Sequence, residues 1–440
     1  MRTKYLDVSR HEMSMSIVAP EPKAYHQIAG ETETNLCRHV LSPWFPRALD
    51  PEGGFFQNYG DDWSHLPEDG KSVVYQSRLS WVAAMASRRY PDDETPYRSL
   101  ALHGYEGLRN QLWDATRGGF YWAVNGAGKP DDTKLVYGNA FAIYACATVY
   151  RLTGDADALA LAKECFLWLE AHGHDAQNGG YFEVLDLAGK PVLHGANIIS
   201  PSNGLKSMNT HIHLLEAFSV LYEARRDPAV KKRLEELLDL IKTRVITPEG
   251  AQNLFLSRDW TPASAEDSYG HDIETAYLLV EASTAIGKPG DPEIWKLARK
   301  LVDHTLEVGV DREFGGVYEL GSPTESPSDV KGTEKEWWPQ AEALNALLMV
   351  HQRFGSESGK YWEAFTQLWQ FIQEKQVDAV HGGWFPMLHR NGAPKPRSKS
   401  DSWTECYHQA RALMNVTDRL HSLAKIAARN RVTARRAAGL

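Results

Sequence analysis

The chain has 440 residues, 42% of them hydrophobic, so it is a globular protein with a large core. Its 48 basic and 57 acidic residues give a net charge of -9 without a long run of either sign, which excludes a nucleic-acid footprint. Cys37, Cys146, Cys165 and Cys406 lack CxxC spacing and are too sparse for a disulfide framework, the N-terminus has no apolar signal core, and no stretch approaches the ~20 apolar residues that span a bilayer. Reduced thiols and a cytoplasmic protein are therefore expected.

Residues 1–24 show no periodicity and read as a surface leader. From His26 onward the chain repeats itself. Five times an aspartate precedes a Gly-Gly pair followed by an aromatic or β-branched residue: Asp50 before Gly53-Gly54-Phe55, Asp114 before Gly118-Gly119-Phe120, Asp175 before Gly179-Gly180-Tyr181, Asp311 before Gly315-Gly316-Val317, and Asp378 before Gly382-Gly383-Trp384. The spacing is roughly 60 to 70 residues, with one double interval in which the segment Ala251 to Phe255 stands in for a missing copy. Six units follow.

Each unit has the same grammar: a helix ends at the aspartate, Gly-Gly and an extended run close in a turn such as Asn125-Gly126 or Asn391-Gly392, and a second helix begins. Apolar periodicity predicts helices near 26–41, 72–89, 95–113, 135–153, 157–172, 206–226, 228–245, 271–287, 292–308, 335–354, 359–377 and 404–428. Six helical pairs close most naturally into an all-α (α/α)6 barrel with short β-hairpins in the inter-helix loops. Neither end of the array shows the polar capping repeat that an open solenoid needs. The expected organisation is a leader at 1–24, one barrel at 25–430 and a solvated basic tail at 431–440.

The first helix of each pair is charged and amphipathic, as in Lys231, Lys232, Arg233, Glu235 and Glu236, and suits an outer ring. The second is rich in Ala and Leu and suits an inner ring. Each inner helix begins with its polar residues: Tyr75 and Arg78; Tyr137 and Asn139; Asn209, His211 and His213; His271 and Glu274; Trp337, Trp338, Gln340 and Glu342; Trp403, Tyr407 and His408. Six helix N-termini thus converge on one polar mouth, where their dipoles favour an anionic ligand or intermediate. His271 and Glu274 are three apart and share a helix face, so Glu274 is expected to hold the His271 ring. His211 and His213 are two apart, so one of them enters the pocket and the two cannot chelate a metal. Trp337 and Trp338 diverge, so at most one faces a given point of the cavity. No carboxylate-histidine spacing of the metal kind accompanies these residues, and no metal is expected.

The strings Lys206 to Ala217, Ser268-Tyr269-Gly270-His271-Asp272-Ile273-Glu274, Lys335 to Ala343 and Trp403 to His408 resemble the N-acylglucosamine 2-epimerase superfamily, most closely its cellobiose 2-epimerase branch. The resemblance covers nearly the whole chain beyond the leader and implies the (α/α)6 barrel. It implies His271 and His408 as catalytic acid/base residues, Glu274 as partner of His271, and His213 as the histidine assisting ring opening. Arg78, Tyr137, Asn209, Trp337 or Trp338, and Trp403 would contact the substrate. The segment Glu405-Cys406-Tyr407-His408-Gln409-Ala410 departs from the pattern of related epimerases on both sides of Tyr407-His408.

The implied reaction is epimerisation at C2 of a reducing-end aldose, free or in a β-1,4-linked disaccharide. Two histidines would remove a proton and return one through a cis-enediolate, without cofactor. The partner is a small sugar, and the assembly is a monomer or homodimer. The same residues suit a mannose-fructose isomerase or a D-mannose 2-epimerase, and Glu274, Glu342 and Asp272 are the carboxylates an (α/α)6-barrel glycoside hydrolase would use.

Overall fold

A computed structural model describes residues 20–67, 70–325 and 332–437. The long helices are α1 (Pro22–Asn35), α3 (Val73–Arg89), α4 (Tyr97–Gly107), α5 (Val136–Thr153), α6 (Ala156–His172), α7 (Met208–Arg225), α8 (Pro228–Leu240), α9 (Tyr269–Ala285), α10 (Pro292–His304), α11 (Trp337–Phe354), α12 (Lys360–Phe371) and α13 (Tyr407–Ala437), with a single turn α2 (Ser42–Trp44) after α1. The 3.6-residue apolar period locates all twelve long helices, with ends within a few residues except for α13, which runs nine residues past its expected end. Outer helices α1, α4, α8, α10 and α12 end in a π-helical turn, which leads into the Asp/Gly-Gly segment in every case but α8.

Each inner helix packs on the next, α3 on α5, α5 on α7, α7 on α9, α9 on α11 and α11 on α13, and α13 returns to α3. That last contact closes the ring. The outer helices cover it pairwise, α4 on α3, α6 on α5, α8 on α7, α10 on α9, α12 on α11 and α1 on α13. The architecture is the (α/α)6 barrel. Two expectations about its ends differ from the structure. Helix α1 starts at Pro22, inside the stretch read as leader, and α13 runs through to Ala437, so the tail beyond 430 continues a helix, solvated as expected at 431–433. Residues 1–19 and 438–440 lie outside the described segments.

The loops carry the short hairpins, marked by the pairs Val124↔Pro130, Leu185↔Pro191, Leu256↔Pro262 and Leu388↔Pro394. Each hairpin also pairs with the strand that leads into an inner helix of a neighbouring unit, as in Gly70–Ser72 with Ala123–Asn125. This ties unit to unit at the end where the inner helices begin. The Gly-Gly turns need two successive left-handed residues, with φ of 74° and 75° at Gly118 and Gly119, a backbone that side chains with a Cβ rarely adopt.

The aspartate of each turn has a buried cationic partner. Lys134 Nζ lies 2.9 Å from Asp114, Lys206 3.1 Å from Asp175, Lys335 2.9 Å from Asp311 and Lys399 2.6 Å from Asp378, with the half-buried Lys71 2.5 Å from Asp50. A second brace comes from the fourth residue of the inner helix. Gln76, Asn139 and Gln340 accept the backbone N–H after Gly-Gly (Phe55, Phe120, Val317) and donate to the same residue's carbonyl; His211 Nε2 accepts Tyr181 N–H at 3.0 Å. Such pairing satisfies polar groups that would otherwise be stranded in the interior.

Candidate active site

These braces fix a common register for the inner helices. His271 falls one residue before the bracing position, at Asp272, and His408 one residue before Gln409, whose Oε1 has no hydrogen-bond partner; two residues beyond these positions come Arg78, Phe141, His213, Glu274, Glu342 and Arg411. The second set forms a layer across the barrel. Arg78 lies over the Phe141 ring at 4.4 Å, Phe141 packs on His213 at 4.6 Å, and Arg411 bonds Glu274 at 2.5 Å and Glu342 at 2.8 Å. Above the layer is a cavity of about 260 Å³ lined by Arg78, Tyr137, Asn209, His213, His271, Glu274, Trp337, Trp338, Trp403 and His408, with Glu319, Glu336 and Arg397 completing its wall. All ten residues given a catalytic or substrate-binding role in the sequence meet there, whereas Tyr75, Asn139, His211, Gln340, Glu342 and Tyr407 of the expected polar mouth do not line it.

Trp338 packs against both histidines, its ring 4.7 Å from that of His271 and 5.6 Å from that of His408. Trp337 belongs to the same wall, with the Arg397 guanidinium over its ring at 5.9 Å. Both tryptophans therefore reach the cavity, at different points. Asn209 leaves its Oδ1 without a hydrogen-bond partner. His211 is a brace, its Nδ1 on Ser207 O at 2.7 Å, so His213 is the one that enters the pocket.

The histidines are held differently. His408 Nδ1 lies 2.5 Å from Glu342 Oε1, so a proton on Nδ1 is donated to the carboxylate and Nε2 is left for the cavity. His271 Nδ1 lies 2.6 Å from Ser268 Oγ, a hydroxyl that serves either tautomer. His213 Nδ1 lies 3.0 Å from Glu216 Oε2. Glu274 does not hold His271 as their three-residue spacing suggests: its Oε1 is taken by Arg411 and its Oε2 has no hydrogen-bond partner. The reason is that Arg411, on another helix, offers a charged donor at the centre of the ring, while Ser268 is already placed as the cap of α9.

Arg411 binds Glu216, Glu274 and Glu342 together and is the residue that sequence reasoning passed over. Its signal was its place three residues after His408, one helical turn deeper. Burial opposes charge on Glu216, but Arg411 and His213 overcome it and hold the carboxyl down at about 2. Burial wins at Glu342, raising its pKa despite Arg411. Burial lowers His271 to about 4 and takes His408 well below its ordinary value, with Arg78 adding to the effect. Both rings thus rest neutral, the form in which an imidazole acts as a base. Arg78 donates to Glu405 at 2.9 Å and to Tyr137 at 3.2 Å. Glu405 is therefore the counter-ion of the pocket's arginine. Glu274, Glu342 and His408 each bring one atom within 4.8 Å of the others, a spacing that suits a cation, and Arg411 already supplies positive charge to both carboxylates.

The family model for N-acylglucosamine 2-epimerase matches residues 54–412. The chain belongs to the N-acylglucosamine 2-epimerase family. A cellobiose 2-epimerase of Bacteroides fragilis is 30% identical over 391 residues, covering 88% of this chain and 97% of that one. A D-mannose isomerase of Marinomonas mediterranea is 26% identical over 408 residues, covering 88% and 98%. The solved structure of a cellobiose 2-epimerase from Spirochaeta thermophila superposes with a TM-score of 0.82 at 31% identity over 91% of this chain and 98% of its own. This family member is a carbohydrate epimerase, an isomerase that acts on small sugars. No described helix is long and apolar enough to cross a membrane.

Proposed function

We propose that the enzyme inverts C2 of a reducing-end aldose, as the free sugar or at the reducing end of a β-1,4-linked disaccharide such as cellobiose, using His271 and His408 as the two proton carriers. The observation that carries this reading is the placement of two imidazoles, from helices far apart in sequence, in one sugar-sized cavity, both packed against Trp338. Inversion requires a base on each face of C2, which one side chain cannot provide.

In this reading His213, held by Glu216, assists ring opening. One histidine removes the proton α to the aldehyde through its Nε2, and a cis-enediolate forms. Rotation about C2–C3 presents the other face, and the second histidine, which enters the cycle as an imidazolium after taking a proton from solvent, returns that proton from its Nε2, so the pair ends with its roles exchanged. Glu342 stabilises the imidazolium at His408. Arg78 and the helix N-termini stabilise the enediolate oxygen, each contribution growing as charge develops. Asn209 Oδ1 and the Trp403 ring are available to sugar hydroxyls and to the sugar face. Return of the proton to C1 instead of C2 would give an aldose-ketose isomerase, an outcome favoured by the D-mannose isomerase among the relatives.

The test is incubation of glucose, mannose, cellobiose and N-acetylglucosamine in heavy water with NMR detection. Deuterium entering C2 with inversion and without glycosidic cleavage is the expected result. Ketose formation selects the isomerase, and release of glucose from cellobiose, by a carboxylate pair such as Glu274 and Glu342, overturns the proposal.

A further inference from the structure

The unit that contains α9 breaks the bracing rule. Where the other five place a lysine before the inner helix it has Asp267, and where they place the turn aspartate it has Thr247. Two buried carboxylates, Asp267 and Asp272, consequently lie together, both fully shielded from solvent, and face His304 of α10. His304 Nε2 donates to Pro323 O at 2.7 Å, and His304 Nδ1 lies 2.9 Å from Asp272 Oδ2 and 3.7 Å from Asp267 Oδ2, so a metal ion bound here takes the place of the Nδ1 proton. The remaining carboxylate oxygens are already held. Gln252 Nε2 donates to Asp272 Oδ1 at 3.2 Å, and the Gln252 backbone N–H to Asp267 Oδ1 at 3.4 Å. Asp267 Oδ2 is buried without any hydrogen bond.

One atom from each of three residues therefore points at a common centre, all within 4.8 Å of one another, and every other polar atom of the three is fixed by a neighbour. Outer partners of this kind, above all a backbone carbonyl on the far nitrogen of the histidine, orient the ligands of metal sites. Around a tetrahedral zinc with bonds of ~2.0 to 2.2 Å, ligand atoms lie about 3.3 to 3.6 Å apart, and the 2.9 and 3.7 Å seen here straddle that range.

We propose that Asp267, Asp272 and His304 form a divalent-cation site of the zinc type that ties the first turn of α9 to α10 and to the segment 322–325. None of the three lines the sugar cavity, so the ion holds structure and takes no part in proton transfer. It does the work that lysine does in the other five units, at the turn that carries His271. The inference stands apart from the sugar chemistry and does not depend on it.

The test uses the tag-free full chain, stripped with a chelator, with zinc chloride as the probe in isothermal titration calorimetry and thermal unfolding. The expected result is one bound equivalent and a higher unfolding midpoint at saturating zinc, with uptake weakening as protons compete below neutrality. Asp267→Asn, nearly isosteric, is expected to weaken binding at least tenfold, and Asp267→Lys, which restores the residue of the other units, to abolish both binding and the zinc-dependent shift. Absence of a bound equivalent in the parent chain overturns the proposal. So does an equivalent that persists in Asp267→Lys and His304→Gln, since the ion would then sit elsewhere, for example on Glu274, Glu342 and His408.

Discussion

The bracing layer and the pocket layer lie within one helical turn of each other and obey opposite rules. In the braces the units repeat one solution: a lysine on an aspartate, and an amide or imidazole on the backbone after Gly-Gly. In the pocket layer the same register carries Arg78, Phe141, His213, Glu274, Glu342 and Arg411 in turn, four residue types over six positions. The comparison teaches that the sixfold repeat is a scaffold for geometry. Chemistry arises where the repeat is broken, and the unit bearing His271 is broken in both layers.

The largest effect is expected in the pocket. His271→Ala and His408→Ala should each lower turnover by ~10² to 10⁴ or more while thermal unfolding stays cooperative and near the parent midpoint. Steady-state kinetics with unfolding curves on the same samples decide this, and near-normal turnover in either variant removes that residue from the mechanism. Braces should behave in the reverse way. Lys134→Met strands the buried Asp114 carboxylate and is expected to lower stability by about 3 to 5 kcal/mol, read by denaturant unfolding, with kcat little changed at temperatures where the protein is folded. A smaller loss in Lys134→Met combined with Asp114→Leu would confirm that the stranded charge, and not lost packing, is responsible.

A third experiment exchanges one brace for another. His211 is neutral because burial lowers it to about 4, whereas the unfolded chain titrates near 6.5. Between these values the unfolded state binds the extra proton, so stability is complete above pH 6.5 and is lost as pH falls toward 4, by about 3 kcal/mol in all. His211→Gln, the residue used at positions 76 and 340, should fold and should flatten this part of the pH dependence, compared by urea unfolding at pH 7 and pH 4.5. An unchanged slope would place the acid sensitivity with His271 or His351, which burial also lowers to about 4. The smallest effect is expected from Ser268→Ala. Removing the hydroxyl beside His271 Nδ1 should cost about tenfold in kcat, less than Glu342→Gln costs through His408, because a hydroxyl orients a ring while a carboxylate also stabilises its charge.

The amino-acid sequence by itself determined the number of units, the helices and the gathering of polar residues at the inner helix starts. These follow from local patterns: a 3.6-residue apolar period, an aspartate before Gly-Gly, and a repeat of constant length. The resemblance of the strings around them to a known family also implied roles for His271, His408 and His213, while spacing alone left His211 and His213 as alternatives for the pocket. Only the tertiary structure decided who holds whom. Glu274 answers to Arg411 instead of His271, Glu405 to Arg78, and each buried lysine to an aspartate about 20 to 30 residues away. Partner choice among buried charges depends on which side chains meet at one height of a closed ring, where a missing counter-charge costs more than any local preference, and neither periodicity nor spacing along the chain records that height.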